Sequence, residues 1–296
     1  MRALVISGGG SKGAFAGGIA QYLIEEAQHQ YDFFLGSSTG SLLISHLAMG
    51  ELSYIKNVFT SVTQDHIFSN CPFTIRYKNK IPTIGIHHLN VLKNFIKGRK
   101  TFGESLALRK LIGQTLSKEH FKIIQQQKKQ IIVTVSNLTT NKVEYKKASD
   151  CSYEDFIDWI WISCNYIPFM SLVQKNQSEY ADGGLGCIVP ISKAFEMGAT
   201  HVDAIMLNTA FPQINRMPTR NAFDALTVLF DFMVDQIAEH DLALGNMTAK
   251  AYDGSLRVFH TPHVLTTNSL IFDQQKMNTW WEEGFAYAHQ SITKGI

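Results

Sequence analysis

The chain twice places a glycine-rich turn between a short apolar segment and a helical pattern, and this arrangement strongly constrains the fold. Residues 8–13 (GGGSKG) follow the apolar segment 3–7, and residues 36–40 (GSSTG) follow the segment 31–35. Short apolar segments bounded by glycine are typical of strands buried on both faces. Strands that alternate with helices at this spacing predict an α/β fold with a mostly parallel sheet.

The alternation continues along the chain and predicts a three-layer α/β/α sandwich. We expect further strands at 131–135, 142–145, 178–181, 202–208 and 257–260, and helices at 13–29, 42–49, 153–163, 191–197, 220–247 and 274–291. Without a long Gly/Ser/Pro linker, we expect a single domain over residues 1–296. Residues 51–130 fit least well. We expect a helical excursion packed on the sheet there, with a lid or membrane-facing cap as the functional alternative.

Composition excludes several classes of protein. Hydrophobic residues make up 45% and charged residues 18% of the 296 residues, which is typical of a globular chain. A net charge of +2 gives no reason to expect a nucleic-acid partner. The four cysteines form no CxxC pair, so we expect neither a disulfide framework nor a cysteine-based metal site. The first apolar run, residues 3–6, is too short for a signal peptide, so we expect a cytoplasmic protein, soluble or peripheral at a membrane.

The second glycine turn matches G-x-S-x-G with Ser38 at its centre. In this motif a sharp turn between a strand and a helix holds a serine in a strained conformation, and the small flanking glycines make room for the turn. The hydroxyl of Ser38 would then lie at the carboxyl edge of the sheet, where open α/β folds bind ligands. We therefore predict that Ser38 is a nucleophile.

The first glycine loop allows two interpretations. Gly8, Gly10 and Gly13 satisfy the dinucleotide pattern G-x-G-x-x-G, but Asp32, the nearest acidic residue, comes at the beginning of the second strand and not at its end. A phosphate-binding Walker loop is excluded, because its lysine follows a glycine and precedes a serine or threonine, whereas Lys12 precedes Gly13. The alternative is an oxyanion hole formed by Gly8, Gly9 and Gly10. There the N–H groups of Gly9 and Gly10 would face one point near a helix N-terminus, and this hypothesis also explains Ser38.

A nucleophilic serine needs a base that accepts its proton. Asp182, in the sequence YADGG, follows a short apolar segment and precedes two glycines, so we expect it at the same edge of the sheet. A plain turn aspartate is the alternative. A histidine base also stays open, because several histidines follow Ser38 in the order found in α/β-hydrolases: His201, His240, His260, His263 and His289.

These motifs together resemble those of the patatin-like phospholipases. That family combines a glycine-rich oxyanion loop carrying Arg or Lys at the position of Lys12, a G-x-S-x-G serine, and an aspartate in D-G-G/A. The resemblance covers roughly residues 3–208. Residues 163–169 are loosely similar to the family's A-S-x-A-x-P-x-x-F stretch but lack its alanines, and Ile188 stands where the family usually has asparagine.

The resemblance implies a serine lipid acyl hydrolase of the phospholipase or lysophospholipase type, without a cofactor or metal. Ser38 would attack an ester, Asp182 would accept the proton, and an acyl-enzyme would form. Lys12 would bind a substrate phosphate or carboxylate, with a simple surface lysine as the alternative. An acyltransferase or thioesterase, an inactive lipid-binding module and a dinucleotide-dependent oxidoreductase stay open as alternatives. The expected partner is a lipid or lysolipid, with peripheral membrane contact; the oligomeric state stays open.

Overall fold

The computed structural model of the protein describes residues 1–78, 81–211, 219 and 221–294. Its strands in chain order are β1 (Arg2–Ile6), β2 (Phe33–Ser37), β3 (Phe73–Lys78), β4 (Ile81–Ile86), β5 (Gln130–Asn137), β6 (Lys142–Lys147), β7 (Val173–Lys175), β8 (Ser178–Asp182), β9 (His201–Thr209) and β10 (Ser255–Thr261). Its α-helices are α1 (Gly13–Gln21), α2 (Thr39–Met49), α3 (Leu52–Thr60), α4 (Gln64–Ile67), α5 (His88–Ile96), α6 (Leu106–Thr115), α7 (Lys118–Gln126), α8 (Tyr153–Ser163), α9 (Ile191–Glu196), α10 (Ala222–Ala251) and α11 (Gln274–Lys294).

The central sheet has eight strands and is mostly parallel, as predicted. Five neighbouring strands, in the order β10-β9-β1-β2-β5, run parallel to one another. The other three strands are joined by antiparallel pairing: β6 and β8 pair with β5, and β7 pairs with β8. The glycine loop after β1 and the serine turn after β2 therefore emerge side by side at one edge of the sheet.

Helices cover both faces of the sheet, which explains why the apolar segments are continuous rather than alternating. Along β1, Leu4 and Ile6 point into the core formed with α1, α2, α3, α8 and α11. Ala3 and Val5 point to the opposite face and pack with α9 and α10. The three-layer α/β/α prediction is confirmed.

The β8 strand reaches the site because β2 and β8 share one edge of β5. The β6 strand pairs with β5 along its whole length from Ile132 to Asn137 and so occupies the other edge. On the shared edge, Ser37 of β2 is opposite Thr134, and Asp182 of β8 is opposite the next residue, Val135. Because β8 runs antiparallel to β5, the carboxyl ends of β2 and β8 meet at this point.

Residues 51–130 are not purely helical. Besides α3 to α7 they contain the antiparallel hairpin β3–β4, where a helical excursion is expected from the sequence. The hairpin agrees with the alternating sequence FTIRYK of β3. The predicted helix at 13–29 is also corrected: α1 ends at Gln21, and a π-helical turn covers Tyr22–Glu26. Among the described residues, no helix is both long enough and apolar enough to cross a membrane.

Candidate active site

Ser38 lies in the sharp turn between β2 and α2 that the sequence predicts. Its backbone adopts φ 50° and ψ −123°, which is strained for a residue with a side chain. The flanking glycines are sterically required. A Cβ at Gly36 would lie 2.5 Å from the carbonyl carbon of Gly40, and one at Gly40 would lie 2.2 Å from the oxygen of Ile6.

Asp182 accepts a hydrogen bond from Ser38. The Oγ of Ser38 donates to Oδ2 of Asp182 at 2.6 Å, and the N–H of Gly184 donates to Oδ1 at 2.7 Å. The aspartate is only 2% exposed. This burial raises the pKa of Asp182 to about 7, although both hydrogen bonds oppose the rise. The carboxyl is therefore a much better proton acceptor than an ordinary aspartate.

Residues 163–165 hold both Ser38 and Asp182 in place. The N–H of Ser38 donates to Oγ of Ser163 at 2.9 Å, and the N–H of Asp182 donates to the carbonyl of Asn165 at 2.9 Å. The thiol of Cys164 donates to the carbonyl of Ser38 at 3.1 Å. These residues carry no motif from which a role could be predicted. Their signal was the loose similarity of residues 163–169 to the family's stretch.

The glycine loop 8–10 lies beside Ser38. The N–H of Gly8 donates to the carbonyl of Ile188 at 3.1 Å, so this amide is already paired. Within the described ranges, the amides of Gly9 and Gly10 have no acceptor. Gly10 has φ +56°, and a Cβ there would lie 2.3 Å from the carbonyl oxygen of Ser269. The loop therefore depends on glycine for its conformation and its close packing.

Lys12 is a part-buried lysine rather than a free surface residue. Its Nζ donates to the carbonyl of Leu207 at 2.6 Å. Burial lowers the pKa of Lys12, while Asp235 and Asp231 of α10 oppose that change. Burial in turn raises the pKa of Asp231 to about 6, and Lys12 opposes that rise.

A cavity of about 620 Å³ brings the predicted site residues together. Gly8, Gly9, Gly10, Lys12, Ser38 and Asp182 all line it. Away from them its wall is mostly apolar and comes from several elements. Examples are Phe59 of α3, Phe73 of β3, Ile112 of α6, Phe230 of α10, and Phe169 in the segment between α8 and β7. Such a space can hold an apolar chain next to the serine hydroxyl.

The histidine alternative gains no support from these contacts. In the described part of the chain, Asp182 is the side chain that hydrogen-bonds Ser38 Oγ, and no histidine does so. Elsewhere, Nδ1 of His46 lies 2.9 Å from Oε2 of Glu51, and Nε2 of His120 lies 3.3 Å from Oε1 of that residue. The ligand atoms of these three residues lie within 4.8 Å of one another, so they could hold a metal ion. The hydrogen bond to His46 and the ion-pair contact to His120 also account for the cluster without one.

Asp32 does not support a dinucleotide site. Its carboxylate accepts the N–H of Arg2, at the beginning of β1, whereas the glycine loop follows the end of β1. Since β1 and β2 are parallel, Asp32 and the loop lie at opposite edges of the sheet. The dinucleotide interpretation is therefore wrong.

The parallel sheet, the strained serine turn and the adjoining apolar cavity define the class of α/β proteins that includes the serine hydrolases. Within this class, the model of the family "Patatin-like phospholipase" matches residues 4–195, and the chain belongs to this family. Membership supports lipid hydrolase activity.

A solved structure agrees with the fold. The crystal structure of VipD from Legionella pneumophila superimposes with a TM-score of 0.52 at 15% sequence identity. The match covers 99% of this chain and 67% of that chain. At this identity the similarity concerns the fold alone. No curated protein matched the sequence.

Proposed function

We propose that the protein is a serine lipid acyl hydrolase, of the phospholipase or lysophospholipase type, that acts through a Ser38–Asp182 dyad. The observation that carries the proposal is the 2.6 Å hydrogen bond from Ser38 Oγ to a buried carboxylate whose pKa is raised to about 7. A nucleophile within hydrogen-bond reach of a base with a near-neutral pKa is the requirement for attack on an ester.

The proposed reaction has two halves that use the same groups. Ser38 Oγ attacks the ester carbonyl carbon while Asp182 takes the hydroxyl proton, and Asp182 then gives this proton to the leaving alkoxide. The acyl group is now bonded to Ser38. Water attacks the acyl-enzyme with Asp182 as base again, and the proton returns to Ser38 as the fatty acid leaves.

The amides of Gly9 and Gly10 are the proposed oxyanion donors. Both lack an acceptor in the described part of the chain, and Gly9 and Gly10 are the N-cap and the first residue of the short 3₁₀ helix that leads into α1. The partial positive charge of a helix N-terminus and two N–H donors stabilise the developing negative charge. Gly8 contributes space instead, since its Cβ would lie 3.0 Å from Cβ of Ser38 and 2.5 Å from Cδ1 of Ile188.

The apolar cavity is the proposed acyl site, and Lys12 the proposed contact for the polar part of the substrate. Nζ of Lys12 uses one hydrogen for the carbonyl of Leu207 and has two more to donate. A phosphate or carboxylate oxygen of a lipid is a suitable acceptor. The neighbouring Asp231 and Asp235 offset part of the lysine's charge, so we propose one hydrogen-bonded contact rather than a strongly cationic site.

A fluorophosphonate probe tests the nucleophile. We expect the protein to be labelled at Ser38 and Ser38→Ala to lose both labelling and ester hydrolysis. Ser37→Ala is the matched control, because Ser37 Oγ donates a hydrogen bond to the carbonyl of Cys187, 2.9 Å away. This variant is expected to be labelled as the parent is. An unlabelled wild-type protein would instead support an inactive lipid-binding module. Adding an acceptor alcohol or thiol and analysing the products separates hydrolysis from acyl transfer.

A further inference from the structure

Helix α5 (His88–Ile96) exposes apolar side chains to solvent, whereas an ordinary surface helix buries its apolar side chains and exposes its polar ones. Leu89, Leu92 and Ile96 are 74%, 54% and 77% exposed. They follow one another at spacings of three and four residues and so form one outward face. Phe95, which is 49% exposed, borders this face.

The opposite side of α5 carries two asparagines that are hydrogen-bonded to neighbouring segments, Asn94 buried and Asn90 half-buried. Asn94 is 2% exposed; its Nδ2 donates to the carbonyl of Thr101, and its Oδ1 accepts from Nδ2 of Asn70. Asn90 donates to the carbonyl of Cys71 at 2.8 Å. These bonds fix the rotation of the helix, so α5 cannot turn its leucines inward without leaving buried amides unpaired. An outward apolar face maintained in this way indicates an interaction surface.

Cationic side chains adjoin the apolar face. Lys93, Lys97 and Arg99 line a small cavity of about 180 Å³ beside the helix, together with Glu104. Arg99 lies 3.7 Å from Glu104. In the parts of the chain that the structure describes, no carboxylate oxygen lies within 4.0 Å of the ammonium group of Lys93 or Lys97. Lysines on the border of an apolar helix face are the arrangement of helices that lie in the interface of an anionic membrane.

The helix is connected to the acyl cavity through aromatic contacts. The ring of Phe95 lies 6.1 Å from that of Phe102, and the ring of Phe102 lies 6.1 Å from that of Phe169, which lines the cavity. A surface bound through α5 would therefore lie two ring contacts away from the wall of the proposed acyl site.

We propose that α5 docks the protein on anionic lipid bilayers, with Leu89, Leu92 and Ile96 inserted among the acyl chains. Lys93 and Lys97 contact the anionic head groups. The choice of a bilayer as the occupant rests on the proposed function, because a lipid hydrolase must reach substrate that is held in a membrane.

Vesicle co-sedimentation of the full chain carrying Ser38→Ala tests the docking without hydrolysis. The probes are vesicles of phosphatidylcholine alone and vesicles that also contain phosphatidylserine. We expect preferential binding to the anionic vesicles that weakens with added salt. Leu92→Ser with Ile96→Ser should reduce the partition coefficient about tenfold or more, because two exposed apolar side chains no longer insert. Lys93→Glu with Lys97→Glu should reduce it about tenfold or more on the anionic vesicles alone.

A matched control uses Leu244→Ser with Met247→Ser. These residues lie on α10 and are 54% and 67% exposed, so the control removes a similar exposed apolar area elsewhere. It is expected to leave binding unchanged. Equal losses in the control, unchanged binding of the α5 variants, or no vesicle binding by the parent would each overturn the proposal. So would a parent dimer that Leu92→Ser with Ile96→Ser converts to monomers in sedimentation velocity, because a second copy would then be the occupant.

A parallel measurement keeps the two proposals distinguishable. With Ser38 present, Leu92→Ser with Ile96→Ser should hydrolyse a short-chain, water-soluble ester as fast as the parent and vesicle lipid more slowly. If the parent does not hydrolyse the soluble ester, the proposed function is contradicted, and the vesicle-binding result stays valid. Circular dichroism and the melting temperature confirm that each variant is folded.

Discussion

Asp182 meets Ser38 because β8 and β2 end beside each other on the same edge of β5. Ser37 is opposite Thr134 and Asp182 is opposite Val135, so consecutive residues of one strand position the two. The contact thus depends on the register of main-chain hydrogen bonds rather than on a flexible loop. Gly183 is needed there as well, since a Cβ at this position would lie 2.2 Å from the carbonyl oxygen of Thr134.

The raised pKa of Asp182 predicts how reactivity depends on pH. The deprotonated carboxylate is the proposed base, and its pKa is about 7, so fluorophosphonate labelling should speed up as pH rises through about 7. Asp182→Asn should slow labelling about 10²–10⁴-fold and remove this limb of the profile. Asp231 also has a pKa raised to about 6, so Asp231→Asn is the control and should keep the limb. A limb that moves with Asp231 would contradict the assignment.

Asp182 should also reduce the stability of the protein at neutral and alkaline pH. Its folded pKa exceeds its ordinary value, so the folded state binds more protons than the unfolded state between about pH 4 and about pH 7. The parent therefore loses stability from this group as pH rises through that window, and Asp182→Asn does not. The free energy of unfolding of Asp182→Asn relative to the parent should increase by on the order of a few kcal/mol from acidic to alkaline conditions.

Urea unfolding at pH 4.5 and pH 8 measures this difference. The exposed Asp253 sits at φ +48°, which asparagine also tolerates, so Asp253→Asn serves as the control. It should differ from the parent by the same amount at both pH values. A constant difference for Asp182→Asn would show that the carboxyl has no raised pKa.

Ser163 is predicted to position Ser38. Ser163→Ala removes the acceptor of the Ser38 N–H, so we expect a loss of about 1–3 kcal/mol in the free energy of unfolding and slower labelling. Ser163→Thr keeps the hydroxyl and should recover much of both. The control is Ser45→Ala, since Ser45 is equally buried but its Oγ has no hydrogen-bond partner in the described ranges. Comparable losses in both alanine variants would exclude a specific role for Ser163.

Gly10→Ala should impair the proposed oxyanion hole. The new Cβ would lie 2.3 Å from Ser269 oxygen at a backbone φ of +56°, so the loop must move. We expect a loss of about 10²-fold or more in kcat on a soluble ester. Gly50→Ala is the matched control: φ is +79°, but no atom lies within 4 Å of the new Cβ. It should cost about 1–2 kcal/mol in stability and leave kcat unchanged. Equal kcat values for both variants would contradict the role of the loop.

Local sequence signals predicted much of the fold and the position of the serine turn that the structure contains. Continuous apolar segments indicated buried strands because both faces of the sheet are covered. Glycines around Ser38 and before Lys12 marked turns that only small residues allow, so the positions of the serine turn and the glycine loop could be predicted. The hairpin β3–β4 was missed although β3 alternates, because Pro82 and Gly85 interrupt the strand pattern of β4. The three-residue β7 was missed because so short a strand carries a weak periodic signal.

What the sequence by itself determined is where the two glycine-rich turns and the turn at Asp182 occur and which residue types occupy them, because steric limits on the backbone act between neighbours in the chain. The tertiary structure alone decided that Asp182 is buried and has a pKa near 7, that Ser163 and Asn165 hold the two site residues, and that Gly8 is paired with Ile188. It also decided that α5 faces outward with its leucines. Each of these depends on contacts between residues far apart in the chain, and on the loss of water that such packing causes.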